Sequence, residues 1–215
     1  MPDKIVFTVG HSRHEIEDFI ALLGQHGVSC LIDVRSSPYS RIAPQYNRET
    51  LSATLKQNEI LYAHFEEEFG ARHTDPALLD EDGKVDFDKV RESPEFKQGV
   101  QRLNNALELG YTVALMCSEA DPFDCHRFSM ISYQLVKEGL HVHHILKDGQ
   151  IVDNSELEKR LLEKHQRKLP QSTLFETVTR EMQIEAAYRL IGKRIAFSAL
   201  KPEEDSISSE DASHD

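Results

Sequence analysis

A short polar stretch in the middle of the chain carries several kinds of reactive side chain. It supplies two thiols, a carboxylate, an imidazole and a guanidinium, from Cys117, Glu119, Cys125, His126 and Arg127. Thiols serve as nucleophiles or metal ligands, carboxylates and imidazoles transfer protons, and guanidinium groups bind anions. The concentration of these groups in one stretch indicates a functional site.

The flanking residues predict where this stretch lies. Residues 111–116 are apolar or β-branched, which predicts a strand, and apolar residues recur at helical spacing from Phe128 to Val136. The polar stretch is therefore a loop between a strand and a helix. In an open α/β sheet such loops leave the carboxyl ends of the strands, where ligands usually bind.

Strands and helices alternate along the chain, which predicts an α/β fold. A strand at Ile5–Val9, a helix from Ile16 to Leu23 and a strand at Cys30–Val34 form the first parallel unit. Later helices are predicted at 48–57 and 93–109, later strands at 60–64 and 142–146, and a hairpin-type turn at 147–150. We expect a three-layer α/β domain in which a mostly parallel sheet has helices on both faces.

Composition divides the chain into three segments. The α/β domain is expected over residues 1–166, and a helical extension, with its helix at 174–195, over 167–197. Residues 198–215 are polar, acidic and rich in serine, which predicts a disordered acidic tail. Within the first segment, Ser155 is the predicted cap of the last helix.

Two other loops are expected at the same edge of the sheet as the polar stretch. Gly10-His11-Ser12 follows the first strand, and Asp33-Val34-Arg35-Ser36 closes the second. Guanidinium groups, together with the free amides of a helix N-terminus, favour a phosphate or carboxylate group. The residues predicted to bind such an anionic substrate are His11, Ser12, Arg35, Arg41 and Arg127.

For the chemical step, Cys117 is the predicted nucleophile, and Glu119 and His126 are the predicted proton carriers. The thiol lies between a strand and a helix N-terminus, where the helix dipole and Arg127 favour the thiolate. The alternative is a buried cysteine that only closes an apolar strand. A standard cysteine phosphatase is excluded, because its loop requires an arginine six residues after the cysteine, and Phe123 occupies that position.

Metal binding is an alternative use of the same residues. Cys117, Cys125 and His126 offer the ligand types that zinc prefers, and His11 could add a fourth. Structural zinc sites usually contain closely spaced cysteine pairs, whereas seven residues separate these two cysteines. The main prediction therefore contains no metal, and zinc binding or thiol redox chemistry stays open as the alternative.

The composition of the whole chain limits the class of protein. Its 215 residues are 39% hydrophobic and 29% charged, which fits a soluble globular protein, and no apolar run approaches the roughly 20 residues of a membrane helix. The net charge of −12 disfavours broad nucleic-acid binding, which depends on Lys and Arg. Three cysteines form no disulfide framework, and the amino terminus lacks a secretory signal, so a cytoplasmic protein is expected.

Several segments of the chain resemble the family known as domain of unknown function 488. They are Thr8–Ser12, Asp33–Ser40, Phe69–Arg72, Met116–Glu119 and Cys125–Arg127. The resemblance extends over about residues 5–165, and it implies a single cytoplasmic α/β domain without bringing an established reaction. It also makes Arg72 a candidate for substrate binding, with Ala71 in place of the second glycine of a Leu-Gly-Gly-Arg pattern.

Together these patterns predict an enzyme, either a hydrolase or a group transferase. Its substrate is expected to be small and anionic or phosphate-bearing, such as a nucleotide or a nucleic-acid end. Two alternatives are a zinc-binding or thiol-redox module and a non-catalytic partner-binding protein. The last would use the helix near 177–191 and the acidic tail as its contact surfaces.

Overall fold

Six strands form one sheet in the computed structural model, which describes residues 4–199. They are β1 (Ile5–Gly10), β2 (Cys30–Asp33), β3 (Leu61–His64), β4 (Val113–Cys117), β5 (His141–Ile145) and β6 (Ile151–Asp153). Their order is β3-β2-β4-β1-β5-β6. Neighbouring strands from β3 to β5 run parallel, and β6 pairs antiparallel with β5 through a short turn. The mostly parallel sheet is confirmed.

Helices cover both faces of this sheet. They are α1 (Ile16–Gln25), α2 (Arg48–Gln57), α3 (Glu66–Phe69), α4 (Phe87–Glu92), α5 (Pro94–Glu108), α6 (Tyr133–Lys137), α7 (Asn154–His165) and α8 (Arg180–Ile195). On one face, Phe19 of α1 and Leu51 of α2 share an apolar cluster with Met116. On the other face, Leu103 of α5 shares a cluster with Leu115, because successive strand residues point to opposite faces. This arrangement confirms the three-layer α/β fold.

The C-terminal helix packs on the domain. Tyr188 and Ile191 of α8 share a third apolar cluster with Leu161 of α7 and with Phe128. Phe128 belongs to a π-helical turn, Arg127–Ser132, which leads directly into α6. The C-terminal helix predicted from sequence is therefore present and has an apolar contact with the sheet domain.

Some details of the predicted elements differ from the structure. Helix α8 begins at Arg180 rather than at 174, because the Thr179 hydroxyl accepts a hydrogen bond from the backbone amide of Met182. Helix α7 is capped by Asp153, whose carboxylate accepts from the amide of Ser155, so Ser155 is not the cap. The predicted disordered tail falls mostly on residues 200–215, which lie outside the described residues.

The carboxyl ends of three neighbouring strands meet near the middle of one sheet edge. Gly10 at the end of β1 is in register with Cys117 at the end of β4. Asp33 at the end of β2 is in register with Met116. The loops after β1, β2 and β4 therefore leave the sheet side by side, as predicted. Across residues 4–199, no helix combines the length and the apolar character needed to cross a bilayer.

A buried histidine ties the sheet to α7. His144 lies on β5, and its Nδ1 is 2.8 Å from the Thr8 hydroxyl, whereas its Nε2 is 3.1 Å from Asn154 Oδ1. One ring nitrogen donates and the other accepts, which is the pattern of a neutral imidazole. Burial lowers the pKa of His144 to about 4.

This pKa predicts a stability that depends on pH. Between pH 6.5 and about 4 the unfolded chain takes up a proton at His144 that the folded chain does not, so acidification favours unfolding. We expect His144 to lower the free energy of unfolding by about 2 kcal/mol between pH 7 and pH 5. Urea unfolding of the wild type and of His144→Gln at both pH values measures it. Equal pH dependence in the two proteins would contradict the prediction.

Candidate functional site

The loop after β4 is held against the end of β1 by backbone hydrogen bonds. The amide of His11 donates to the carbonyl of Cys117, and the amide of Ser12 donates to that of Ser118, both at 2.9 Å. The contact requires glycine at position 10, since a Cβ there would lie 1.8 Å from the Glu119 carbonyl oxygen. The Gly-His-Ser motif thus allows the close approach of two loops.

Arg127 holds the loop after β4 through two side-chain hydrogen bonds to its backbone. Its Nη1 donates to the Glu119 carbonyl at 2.6 Å, and its Nη2 donates to the Ala120 carbonyl at 3.0 Å. The Arg127 side chain is fully buried, and the backbone carbonyl of Arg127 accepts a hydrogen bond from the Ser132 hydroxyl across the π-helical turn. Such turns are rare and often occur at functional sites. Arg127 therefore shapes the loop and does not line the cavity described below.

This folding of the loop brings four reactive groups into contact. Glu119 Oε2 is 2.8 Å from Cys117 Sγ and 3.1 Å from Cys125 Sγ. The Nδ1 atom of His126 is 3.8 Å from Cys117 Sγ and 3.7 Å from Cys125 Sγ. We name Cys117, Glu119, Cys125 and His126 the thiol cluster.

A backbone carbonyl immediately after β2 determines the orientation of the imidazole. His126 Nε2 lies 3.1 Å from the carbonyl oxygen of Val34. A carbonyl oxygen only accepts hydrogen bonds, so Nε2 carries the proton that it donates. Nδ1, which faces the two sulfur atoms, therefore carries a proton only when the imidazole is charged.

The two thiols differ in their electrostatic environment. Burial raises the pKa of Cys117 well above its usual range, and the adjacent Cys125 and Glu119 reinforce this effect. Burial also opposes ionisation of Cys125, but the hydrogen bond from Cys117 and the positive charges of Arg127 and His126 outweigh it and lower the pKa of Cys125. The electrostatics therefore favour Cys125, rather than the Cys117 expected from sequence, as the thiolate.

The proton carriers respond to the same charges. Burial raises the pKa of Glu119, and the neighbouring Cys125 sulfur reinforces the rise. Burial lowers the affinity of His126 for a proton, but the charge of Cys125 outweighs this effect and raises the pKa of His126. In both groups the surroundings thus favour the protonated form, and a side chain that holds a proton next to a cavity can act in general acid-base catalysis.

The thiol cluster opens on a cavity of about 270 Å³ at the sheet edge. Besides the cluster, the lining includes Arg35, Ser36, Ser37, Ala71, Arg72, Ser118, Asp124, Ile195 and Phe197. Arg72 is exposed, and its guanidinium lies 5.6 Å from the centre of the Phe197 ring. The Ser36 hydroxyl accepts hydrogen bonds from the amides of Ala71 and Arg72, so the loops after β2 and α3 are joined beside the cavity.

The other predicted binding residues occupy different positions. Arg35 lines the cavity, but its Nε and Nη2 bind the carboxylate of Asp33, which neutralises much of its charge. His11 lies behind Arg35 and stacks on Tyr46, with a ring-centre distance of 4.0 Å. Burial and the charge of Arg35 lower the pKa of His11 to about 4, which keeps this ring neutral.

Ser12 and Arg41 do not belong to the lining residues of this cavity. Ser12 adopts a φ of 50° and takes part in the contact with the loop after β4 through its backbone. Arg41 is exposed in the loop between β2 and a 3₁₀ turn at Pro44–Tyr46. Of the arginines predicted to bind substrate, the structure therefore brings Arg35 and Arg72 to the cavity.

The sequence did not predict that Ile195 and Phe197, near the end of the described chain, line the cavity. Phe197 follows α8, and its carbonyl accepts from the amide of Val85, so the chain after the helix is fastened beside the cavity. Ser198 forms a β-bridge with Lys84. The apolar pair Ile195 and Phe197 was the only signal in the sequence, and its position at the boundary of an acidic segment hid it.

The fold and site define an α/β domain with a cluster of thiols, carboxylate and imidazole at the carboxyl edge of its sheet. Residues 15–134 match the family described as Domain of unknown function DUF488, and the chain belongs to this family. The match includes β2, β4 and the thiol cluster, whereas Gly10 precedes it and α8 follows it. Neither a curated protein nor a solved structure matches the chain.

The close contact at Gly10 predicts a strong effect of one added methyl group. Gly10→Ala places a Cβ against the Glu119 carbonyl and should lower the free energy of unfolding by about 1–3 kcal/mol, as overpacking usually does. It should also increase the rate at which Cys117 and Cys125 react with an alkylating reagent, because the loop is displaced.

Gly24→Ala is the matched control, since a Cβ on Gly24 of α1 meets no atom within 4 Å. This variant should be as stable as the wild type or slightly more stable, because alanine favours helix. Urea unfolding and mass spectrometry of the alkylated protein measure both effects. Equal stability of the two variants would show that the close approach at Gly10 is not required.

Proposed function

We propose that this protein is a hydrolase for a small anionic substrate, such as a phosphate-bearing molecule, that binds in the cavity beside the thiol cluster. The observation that carries this proposal is the position of Glu119, whose carboxylate touches both sulfur atoms and lines the same cavity as Arg72. A proton carrier and a cation thus face the same small space.

The lining of the cavity supports binding of an anion. Arg72 brings a guanidinium group that pairs well with phosphate or carboxylate oxygens. Ser36 and Ser37 add hydroxyl groups, and Phe197 adds an aromatic face next to Arg72. A nucleotide combines a phosphate group with a planar base, which matches a cation beside an aromatic ring.

The thiol cluster supports hydrolysis in the same cavity. Glu119 takes a proton from a water molecule, whose oxygen forms the new bond to the electrophilic atom of the substrate. The bond to the leaving group then breaks, and Glu119 returns the proton to that group. Free thiols occur at all three cysteines, which agrees with the proposed cytoplasmic location.

Removal of Arg72 should weaken anion binding. We expect Arg72→Ala to raise the Kd for inorganic phosphate and for a nucleoside monophosphate by about tenfold, as for one lost charge-assisted hydrogen bond. Arg167→Ala removes the same charge from an exposed position after α7 and should leave both constants unchanged. Isothermal titration calorimetry measures the Kd values. Equal effects of the two variants would contradict a role of Arg72 in this cavity.

Removal of the Glu119 carboxylate should abolish turnover. We expect Glu119→Gln to lower kcat by about 100-fold or more, with a smaller change in the Kd for phosphate, because general acid-base catalysis contributes about that much. The assay is a panel of phosphomonoesters, nucleotides and carboxylic esters, with Cys30→Ala as the control for buried-residue substitution outside the cavity. Full activity of Glu119→Gln, or no turnover of the panel by the wild type, would contradict the proposal.

A further inference from the structure

We propose that Cys117, Cys125 and His126 bind one zinc ion through Sγ, Sγ and Nδ1. The inference deepens the proposed function, because it names the group that prepares water for attack, and it rests on that function for the role of the ion. Binding of the ion rests on the geometry of the thiol cluster alone.

The three ligand atoms have the spacing of a metal site. All of them lie within 4.8 Å of one another. Zinc–sulfur bonds of about 2.3 Å and zinc–nitrogen bonds of about 2.0–2.1 Å, at tetrahedral angles, separate sulfur from nitrogen by about 3.6 Å. The observed separations of His126 Nδ1 from the two sulfur atoms are 3.8 Å and 3.7 Å. The two sulfur–nitrogen separations therefore already match those around a bound zinc ion.

The imidazole is already prepared as a ligand. Metal-binding histidines usually donate their second ring N–H to a carbonyl or carboxylate, which fixes the tautomer and the ring orientation. The bond from His126 Nε2 to the Val34 carbonyl provides this support from the residue after β2. This bond leaves Nδ1 as the ring nitrogen that faces the sulfur atoms of Cys117 and Cys125.

The wide spacing of the cysteines in sequence is overcome by the folding of the loop. A 3₁₀ turn at Pro122–Asp124 reverses the chain, and Arg127 holds the carbonyls of Glu119 and Ala120. These contacts return Cys125 to the side of Cys117. The spacing argument against zinc therefore does not apply to this loop.

The chemistry of the donor set selects the metal. Two thiolates and an imidazole suit zinc, whereas magnesium and calcium prefer oxygen ligands. The two negative charges of the thiolates neutralise the two positive charges of the ion. Without the ion, both sulfur atoms contact the same carboxylate oxygen of Glu119. All three ligands are buried, yet the cluster borders the cavity.

Three protein ligands leave a fourth position for water, which is the pattern of catalytic rather than structural zinc. When bound, zinc lowers the pKa of this water and so supplies the hydrolytic nucleophile near neutral pH. Glu119 is not a member of the three-residue ligand group, and its carboxylate next to both sulfur atoms is placed to accept the proton. Arg72 retains its role with the anion.

The test is the metal content of the full chain produced without a histidine tag. Mass spectrometry of the metal should find about one zinc per chain in the wild type and in Cys30→Ala, which removes the thiol of β2 outside the cluster. Cys117→Ala and Cys125→Ala should each reduce the zinc content at least tenfold. Replacement of zinc by cobalt should produce thiolate-to-cobalt absorption in the wild type and in Cys30→Ala.

A second measurement requires no variant. Zinc added to metal-stripped wild type should protect Cys117 and Cys125 from iodoacetamide and leave the labelling of Cys30 unchanged. Absence of zinc uptake and of thiolate-to-cobalt absorption, or retention of zinc by both cluster variants, would overturn the proposal. Turnover of the ester panel is measured in parallel: full activity of the zinc-free protein overturns the catalytic role of the ion, whereas zinc binding without activity contradicts the hydrolase alone.

Discussion

The site depends on one buried guanidinium. Arg127 donates to the carbonyls of Glu119 and Ala120, and within residues 4–199 its side chain has no carboxylate partner. A buried cation is stable only when the surrounding groups compensate for lost hydration. Backbone carbonyls and the adjacent Cys125 sulfur provide that compensation here, and the loop must fold back over Arg127 to supply them. The same folding places Cys125 and His126 beside Cys117.

The ends of the parallel strands also hold the thiol cluster in place. Parallel strands β2, β4 and β1 end together, so the imidazole of His126 reaches the Val34 carbonyl after β2, and Gly10 after β1 admits the Glu119 backbone. Asp33 neutralises Arg35, and Arg72 is an exposed residue that lines the same cavity. The thiol cluster and two arginines therefore line one cavity, as the proposed hydrolase function requires.

Most of the fold was predictable because it follows from periodic apolar patterns. The strands ending at Gly10, Asp33 and Cys117 were predicted to within a few residues, and so was the convergence of their loops. The details of the site were not, because they depend on single hydrogen bonds between distant residues. The wide spacing of the two cysteines in the sequence disfavours zinc. The spacing alone does not show that Arg127 holds the loop so that the two cysteines come together. The role of Phe197 was hidden for a similar reason: its place beside Arg72 depends on backbone pairing with Val85.

The central claim is that the atoms of Cys117, Cys125 and His126 converge on one metal-binding point. X-ray absorption at the zinc edge of the full-length, tag-free protein measures the atoms around the metal directly. The expected shell contains two sulfur atoms at about 2.3 Å, one nitrogen atom at about 2.0–2.1 Å and one further oxygen atom. A shell of nitrogen and oxygen atoms only, or a protein that takes up no zinc, would contradict the claim.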